Sequence, residues 1–253
     1  MCLINFQFHS HPQYKLILAA NRDEFHQRPT APAQFWKDHP HILAGRDLLG
    51  MGTWLGITKT GRFAALTNCR NANDNQTYPE SRGTIVKDFL NDTMSASEFL
   101  LCLQETKDRY AGFNIIAGTP DHLVYYNNIE NNIATVSQGT HGLSNAFLDT
   151  PWPKVSKGTS RLAAYTGQHR HVATEPLFNI LSDTEKAADN DLPESEITHV
   201  DRQLSPIFIK TSGYGTRSST VLLIDRNNHA VFAERTYQNG AFKIEKPFSF
   251  TIG

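Results

Sequence analysis

Cys2 directly follows the first methionine of the chain, and its position suggests a chemical role. A first methionine is normally removed when a small residue follows it, and removal leaves Cys2 with both a thiol and a free α-amine. An α-amine titrates near pH ~8 and a thiol near ~8.5, so each can exchange a proton with the other at neutral pH. This is the chemistry of an N-terminal nucleophile. The alternative is a small buried cysteine at the start of a strand.

The residues after Cys2 predict a hairpin that determines the surroundings of the thiol. Apolar and polar residues alternate over 4–9, and a more continuous apolar run covers 15–20. The first pattern indicates a strand with one buried face, and Pro12 between the two runs indicates a turn. Folding about residues 11–12 places Cys2 opposite roughly residue 21, give or take one register step.

The hairpin therefore predicts that the thiol lies beside the run Asn21-Arg22-Asp23-Glu24. A cation such as Arg22 favours the thiolate form of a nearby cysteine, and a carboxylate such as Asp23 can orient an ammonium group. The alternative is that these charges form only a cluster of salt bridges at the end of a strand.

Composition argues against several classes of function. The chain has 253 residues and a net charge of −1 without a basic cluster, so nucleic-acid binding has no electrostatic support. No apolar run is long enough for a transmembrane segment, and no signal-peptide pattern is present. Cys2, Cys69 and Cys102 form no metal-binding spacing, which suits a reducing compartment. We expect a cytoplasmic protein with a single domain over residues 1–253.

The rest of the chain predicts hairpins separated by two helical blocks. Hairpin-linked strands form antiparallel sheets, and helical blocks must cover their outer faces. We therefore expect an α+β fold, a four-layer αββα sandwich. The predicted elements after the first hairpin are strands at 54–58 and 63–67, helices at 81–90 and about 96–103, strands at 113–117, 123–126 and 135–137, helices from Pro153 and from Glu175, and strands at 220–225, 230–236, 242–245 and 248–251.

Local signals add four more expectations. Gln27 to Pro40 is rich in proline and predicts an irregular surface loop. Ser81 is expected to cap the first helix, and Ser95-Ala96-Ser97-Glu98 fits a capping box for the second. Cys102 lies in that second, amphipathic helix and is expected in the core.

Six runs, found in order along the chain, resemble the NRDE family, which includes the animal transport and Golgi organisation 2 proteins. The Asn-Arg-Asp-Glu run alone is a weak motif, whereas six matches in order are specific. The matching runs are Met1-Cys2-Leu3, Ala20-Asn21-Arg22-Asp23-Glu24-Phe25, Gly52-Thr53-Trp54-Leu55-Gly56, Leu66-Thr67-Asn68, His141-Gly142-Leu143-Ser144-Asn145 with Pro151-Trp152-Pro153-Lys154, and Tyr214-Gly215-Thr216-Arg217.

The resemblance implies an N-terminal-nucleophile (Ntn) hydrolase fold, similar to that of bile-salt hydrolases and penicillin acylases. In those relatives the mature chain begins with a cysteine, which matches Cys2. An aspartate soon after the second strand holds the amine of the nucleophile and matches Asp23. Arg22 is the nearest equivalent of the arginine that adjoins this aspartate, although the order of the residues around the asparagine differs.

The resemblance also implies three later site residues. Asparagines that end strands polarise the substrate carbonyl, and Asn68 and Asn145 correspond to them. A late arginine completes the site, and Arg217 is the candidate. Each has an ordinary alternative, because asparagines at strand ends often satisfy loop backbone and Arg217 can be a solvated loop cation.

Two functions follow from the resemblance. One is hydrolysis or transfer of an acyl group from a small amide or thioester, which requires no cofactor. The other is binding and trafficking of haem by the same fold acting as a carrier. Three histidine pairs at i, i+2 spacing are candidate haem or metal ligands, with solvated loop histidines as the alternative. The pairs are His9/His11, His39/His41 and His169/His171.

Overall fold

The computed structural model describes residues 2–69, 77–188 and 202–253, and its strands form two antiparallel sheets. The first sheet has the strand order β10-β1-β2-β11-β12-β13, and the second runs in chain order from β3 to β9. The strands are β1 (Cys2–Phe8), β2 (Tyr14–Phe25), β3 (Thr30–Phe35), β4 (Ile42–Asp47), β5 (Leu55–Thr58), β6 (Phe63–Asn68), β7 (Phe113–Thr119), β8 (His122–Asn127), β9 (Asn132–Thr135), β10 (Gly139–Leu143), β11 (Tyr214–Asp225), β12 (His229–Gln238) and β13 (Ala241–Thr251).

Helices cover the outer faces of both sheets. Helices α1 (Arg82–Asn91) and α2 (Ala96–Glu105) pack on the second sheet, whereas α3 (Pro153–Gln168) and α4 (Thr174–Leu181) pack on the first. The inner faces of the two sheets share one apolar core, which includes Phe6, Leu18 and Phe232 from the first sheet and Ile57 and Phe63 from the second. The expected αββα sandwich is confirmed.

The first hairpin has the predicted form. Strands β1 and β2 pair antiparallel, with Cys2 opposite Arg22 and Phe8 opposite Leu16. The sequence placed Cys2 opposite roughly residue 21, give or take one register step. The observed partner, Arg22, is one residue away and lies within that range. Because cross-strand neighbours share a face of the sheet, Cys2 and Arg22 lie on the same side.

The proline-rich segment between Gln27 and Pro40 is not a wholly irregular loop as predicted. It contains strand β3, which pairs with β4 through an irregularity between Ala31 and Gln34. A bulge at this point leaves Pro32 without a ladder partner, which suits a residue that has no N–H to donate. Strand β3 is also an edge strand, where a missing donor costs little.

Cys102 is exposed rather than part of the core. The buried face of α2 is formed by Ala96, Leu100 and Leu103, and Cys102 falls outside that stripe. The capping box at the start of α2 is confirmed, because the side chains of Ser95 and Glu98 each bond the other residue's backbone N–H.

Other details also differ from the sequence predictions. The strand predicted at 135–137 is not formed, because β9 ends at Thr135 and the next strand, β10, begins at Gly139. Ser81 occupies the N-cap position of α1, but its side chain makes no capping hydrogen bond. The strands predicted at 242–245 and 248–251 are one continuous strand, β13, because it lies at the sheet edge and Pro247 interrupts no inner ladder there.

Within the described ranges, none of the helices has the length and apolar character needed to cross a membrane.

Candidate active site

Cys2 begins a row of side chains that crosses four strands of the first sheet. Arg22 lies opposite Cys2, Ser218 lies opposite Arg22, and Thr236 lies opposite Ser218. Directly paired residues share a face of a sheet, so the row points as a unit toward the second sheet. The apolar core ends near this row, and a polar pocket begins.

The pocket has a volume of about 470 Å³ and lies between the two sheets at the Cys2 end. Its walls come from β1, β2, β11, β12 and β13 of the first sheet, from β3, β4 and β6 of the second, from the β2–β3 and β4–β5 connections, and from the start of α1. Of the site residues predicted from the sequence, five line it: Cys2, Arg22, Asp23, Asn68 and Arg217. The sixth, Asn145, lies behind the wall.

The Cys2 thiol is partly buried at the start of β1. Burial raises its pKa, while a hydrogen bond from the Asp23 backbone and the positive charge of Arg22 act in the opposite direction. The thiol is therefore protonated at rest, and it needs a base or a stronger positive field to become a nucleophile.

Arg22 is the cation beside this thiol, and it forms an ion pair with Glu24 while one of its donors is unused. Its side chain is 11% exposed, and its guanidinium lies 3.6 Å from a carboxylate oxygen of Glu24. The Nη1 atom is buried and makes no hydrogen bond with any described residue. A buried donor of this kind is costly, so Arg22 is ready to receive an anion in the pocket.

Asp23 lies on the opposite side of the strand from Arg22, because consecutive strand residues alternate in direction. Its carboxyl is 4% exposed and accepts a hydrogen bond of 2.7 Å from the Thr216 hydroxyl. Burial raises the pKa of this carboxyl, and the charge of Lys154 has the largest opposing effect. Lys154 is itself 2% exposed, at the second position of α3.

Sequence reasoning gave Lys154 no role. The residue was visible only as part of the Pro-Trp-Pro-Lys motif, and a lysine in the first turn of a helix is usually solvated. Docking of α3 on the first sheet buries it close to Asp23.

Asn68 and Asn145 have different positions in the site. Asn68 ends β6 with an exposed side chain at the pocket wall. Asn145 is buried, and its amide nitrogen donates to the backbone carbonyl of Asn68 at 2.8 Å. Its Oδ1 accepts a hydrogen bond from the Ser144 hydroxyl at 3.2 Å. The same hydroxyl also donates to the backbone carbonyl of Cys2 at 2.9 Å. Asn145 thus connects the end of β6 with the start of β1.

A buried polar network fixes the segment that carries Asn145. Asn114 on β7 donates to the Ala146 carbonyl at 2.8 Å and to the Thr67 hydroxyl at 3.1 Å. Its Oδ1 accepts from the Tyr125 hydroxyl at 2.7 Å and from the Asn127 amide at 2.6 Å. With its hydrogen-bonding capacity used in this way, Asn114 fixes the residue before Asn68 and the residue after Asn145 relative to each other.

Arg217 also forms hydrogen bonds mainly with backbone carbonyls. It lies where the β2–β11 register shifts between Thr216 and Ser218, a position where a bulge redirects a side chain. Its Nη1 donates to the carbonyl of Phe25 at the end of β2, at 2.8 Å, and to that of Arg28 in the β2–β3 connection, at 3.0 Å. Burial and the nearby charge of Arg22 lower its pKa. Arg217 therefore fixes the rim of the pocket and adds positive charge to it.

Glu234 is a pocket residue that sequence reasoning missed. It is 3% exposed, its Oε1 accepts from the Ala33 N–H at 2.6 Å, and burial raises its pKa to about 7. A signal was present in the sequence, because Glu234 continues the inward alternation of Ala230 and Phe232 on β12. An acidic residue on the buried face of a strand is a reason to look for a site.

The histidine pairs proposed as haem ligands lie away from this pocket. His26 is the histidine among its lining residues, and its Nε2 is 3.1 Å from the Thr211 carbonyl. His9 and His11 likewise contact backbone carbonyls, those of Pro120 at 2.9 Å and His169 at 3.1 Å. No group of three or more potential metal ligands occurs among the described residues. Haem binding stays a prediction.

Comparison with known proteins identifies the family. The family model described as Transport and Golgi organisation 2 matches residues 1–239. The chain belongs to that family. Relatives carrying the family name include the Mus musculus homolog, 35% identical over 93% of both chains, and the Drosophila melanogaster protein, 29% identical over 93% of this chain and 92% of that one.

Solved structures of very different sequence share the fold. A Caenorhabditis elegans N-acylethanolamine-hydrolyzing acid amidase ortholog has a TM-score of 0.51 at 12% identity, covering 88% of this chain and 92% of that one. The mutant C2A of conjugated bile acid hydrolase from Clostridium perfringens has a TM-score of 0.52 at 8% identity, covering 100% and 98%. The family member described here therefore has an Ntn-hydrolase-like fold.

Proposed function

We propose that this protein hydrolyses or transfers the acyl group of a small amide or thioester, with Cys2 as the nucleophile. The observation that carries the proposal is the pairing of Cys2 with Arg22 at the wall of the polar pocket, with the Asp23 backbone bonded to the sulfur. A thiol, a buried cation with an unused donor and a buried carboxylate are the groups that acyl transfer by an N-terminal cysteine needs.

The reaction starts once Met1 is removed and the α-amine of Cys2 is free. The amine accepts the thiol proton, and the thiolate forms a bond to the carbonyl carbon of the substrate. The negative charge moves to the carbonyl oxygen, where the Asn68 side chain donates a hydrogen bond worth about 2.7–4 kcal/mol in a well-aligned site. Arg22 stabilises the thiolate before attack, because its charge lies on the same face of the sheet.

Collapse of the intermediate breaks the bond from the carbonyl carbon to nitrogen or sulfur, and the ammonium of Cys2 gives its proton to the leaving group. Water, or another nucleophile in a transfer reaction, then attacks the carbonyl carbon of the Cys2 thioester with the amine as base. The bond from that carbon to the Cys2 sulfur breaks, and the released thiolate takes the proton back from the ammonium. Asp23 holds the ammonium form, and its contact with Thr216 keeps the carboxylate in place. Asn145, Asn114 and Arg217 keep the walls in position.

The structural neighbours support this reaction class. One is named as an N-acylethanolamine-hydrolyzing acid amidase ortholog and the other as a conjugated bile acid hydrolase. Because the sequences are only 12% and 8% identical to this chain, the comparison concerns the fold, and the residues at Cys2 carry the chemistry.

The test begins with intact-mass measurement of the purified protein, which should show that Met1 is absent. Turnover of a panel of acyl amides and acyl thioesters is then compared between the wild type and Cys2→Ala. We expect the variant to lose turnover while keeping the melting temperature. Cys102→Ser is the matched control, because that cysteine is exposed on α2. Equal turnover by Cys2→Ala and the wild type would refute the proposal.

A further inference from the structure

Glu234 and Arg22 are buried, oppositely charged side chains in the wall of one pocket. They lie on the same face of the first sheet, on β12 and β2, with β11 between them. Ser218 on β11 pairs with Arg22, and Thr220, two residues further along the same strand, pairs with Glu234. Glu234 is therefore one diagonal step from the row that begins with Cys2.

The second sheet leaves room for the Glu234 carboxylate. Ala33 on β3 donates its N–H to one oxygen at 2.6 Å, and a side chain added at Gly45 on β4 would place its Cβ 3.1 Å from the other. A larger residue at position 45 would therefore press on this carboxylate. The carboxyl is held between the sheets rather than turned toward solvent.

The pocket that Glu234 lines also contains Arg28 and Asp47, which pair with each other at 2.6 Å, and the charge that acts on Glu234 is that of Arg22. Arg22 faces it from β2, and Lys246 stands opposite it on β13 without forming an ion pair in the part of the chain that is described. The neighbouring positions on β11, β3 and β4 contribute the Ser218 hydroxyl, the Ala33 N–H and Gly45, which carry no charge. Arg22 is thus the cation whose field Glu234 shares.

More than one anionic group lies near the Arg22 guanidinium. Glu24 lies 3.6 Å away, and Nη1 makes no hydrogen bond among the described residues. The Cys2 thiolate and the Glu234 carboxylate lie on either side of it in the register of the sheet. Two anions that share one cation weaken each other's stabilisation, because each reduces the positive potential felt by the other.

We propose that Glu234 is a positioning residue that acts on Cys2 through Arg22, drawing the guanidinium toward β12 and so restraining the reactivity of the thiol when the carboxyl is charged. Its consequence for catalysis rests on the function proposed above, but thiol reactivity is measured without a substrate. Since burial raises the pKa of Glu234 to about 7, its charge changes in the neutral range. The thiol is then restrained more strongly above that pH than below it.

The test is the rate of iodoacetamide alkylation at Cys2 as a function of pH, resolved by peptide mass spectrometry in a Cys102→Ser background. The wild type should show an inflection near neutral pH, where the rise in rate flattens, in addition to the titrations of the Cys2 thiol and α-amine. Glu234→Gln should lack this additional inflection and react about three- to tenfold faster at pH 8, which corresponds to a thiol pKa lower by half a unit to one unit. Superimposable profiles of the wild type and Glu234→Gln, with no acceleration in the variant, would overturn the proposal.

Matched variants separate this coupling from a general change of charge or structure. Glu245→Gln removes the same charge from β13, but Glu245 pairs with Arg235 on the other face of the sheet, so the alkylation profile should stay as in the wild type. Glu234→Asp keeps the charge and should restore the inflection near neutral pH that Glu234→Gln lacks. In an Arg22→Gln background, adding Glu234→Gln should have less than a twofold effect. An undiminished effect there would show that Glu234 does not act through Arg22.

Discussion

The burial of Glu234 predicts a stability difference that depends on pH and can be measured in a single variant, Glu234→Gln. The carboxyl is 3% exposed, and burial raises its pKa from 4.5 to about 7. The folded protein therefore keeps this proton up to neutral pH, whereas the unfolded chain releases it near its ordinary pKa. Stability conferred by this group is complete below that ordinary pKa, and it is lost as pH rises toward the folded-state pKa.

The size of the effect follows from the shift. Each pKa unit corresponds to about 1.4 kcal/mol, so Glu234 lowers the free energy of unfolding by roughly 3 kcal/mol once it is charged in the folded state. Between pH 5 and pH 8 the loss is about 2.5 kcal/mol, because part of it has already occurred at pH 5. Glutamine keeps an oxygen for the Ala33 N–H but has no proton to lose.

The assay is urea denaturation of the wild type and Glu234→Gln at pH 5 and pH 8, at fixed ionic strength. The free energy of unfolding of the variant minus that of the wild type should increase by about 2.5 kcal/mol from pH 5 to pH 8, since all other groups titrate alike in both proteins. Glu245→Gln, whose carboxylate is partly exposed beside Arg235, should track the wild type. If the difference between Glu234→Gln and the wild type is the same at both pH values, the reasoning from burial is wrong.

Two further substitutions test how the elements around the pocket are held. Ser95→Ala should lower the free energy of unfolding by about 1 kcal/mol in urea denaturation, because it removes the capping box shared with Glu98 at the start of α2. Gly52→Ala should cost about 1–3 kcal/mol in the same assay, because the added Cβ would lie 2.3 Å from the Gly83 carbonyl oxygen in the first turn of α1. Its control is Gly167→Ala on α3, where nothing lies within 4 Å, and this change should be neutral or stabilising by up to about 1 kcal/mol. A Gly52→Ala protein as stable as Gly167→Ala would contradict the close approach of α1.

The first hairpin shows how far sequence reasoning reaches at this site. Alternation of apolar residues and the turn at Pro12 predicted that the thiol lies beside the Asn-Arg-Asp-Glu run, and the structure confirms this. The exact register was open by one residue, and that residue matters. With Cys2 opposite Arg22, the guanidinium shares the face of the thiol, while Asp23 points to the other side toward α3. A slip of one residue would exchange the two faces.

The later site residues show where sequence reasoning stops. The family resemblance predicted Asn68 and Asn145 as the groups that polarise the substrate carbonyl and Arg217 as the arginine that completes the site. Of the two asparagines, Asn68 is the one with an exposed side chain in the pocket. Asn145 donates to a carbonyl 77 residues away, and Arg217 donates to carbonyls at the end of β2 and in the β2–β3 connection. Long-range hydrogen bonds of this kind depend on how the sheets meet, and no local pattern encodes them.

The sequence by itself determined the position of Cys2 beside its charged neighbours, the antiparallel strands, the helical blocks on their outer faces and the family. These features depend on periodicity, turn chemistry and ordered motifs, all of which act over short stretches of chain. Only the tertiary structure decided that Glu234 and Lys154 are buried at the site, because a charged residue becomes a functional group when packing of distant elements removes its water. Packing of the two sheets against each other therefore determines the electrostatic field at the Cys2 thiol.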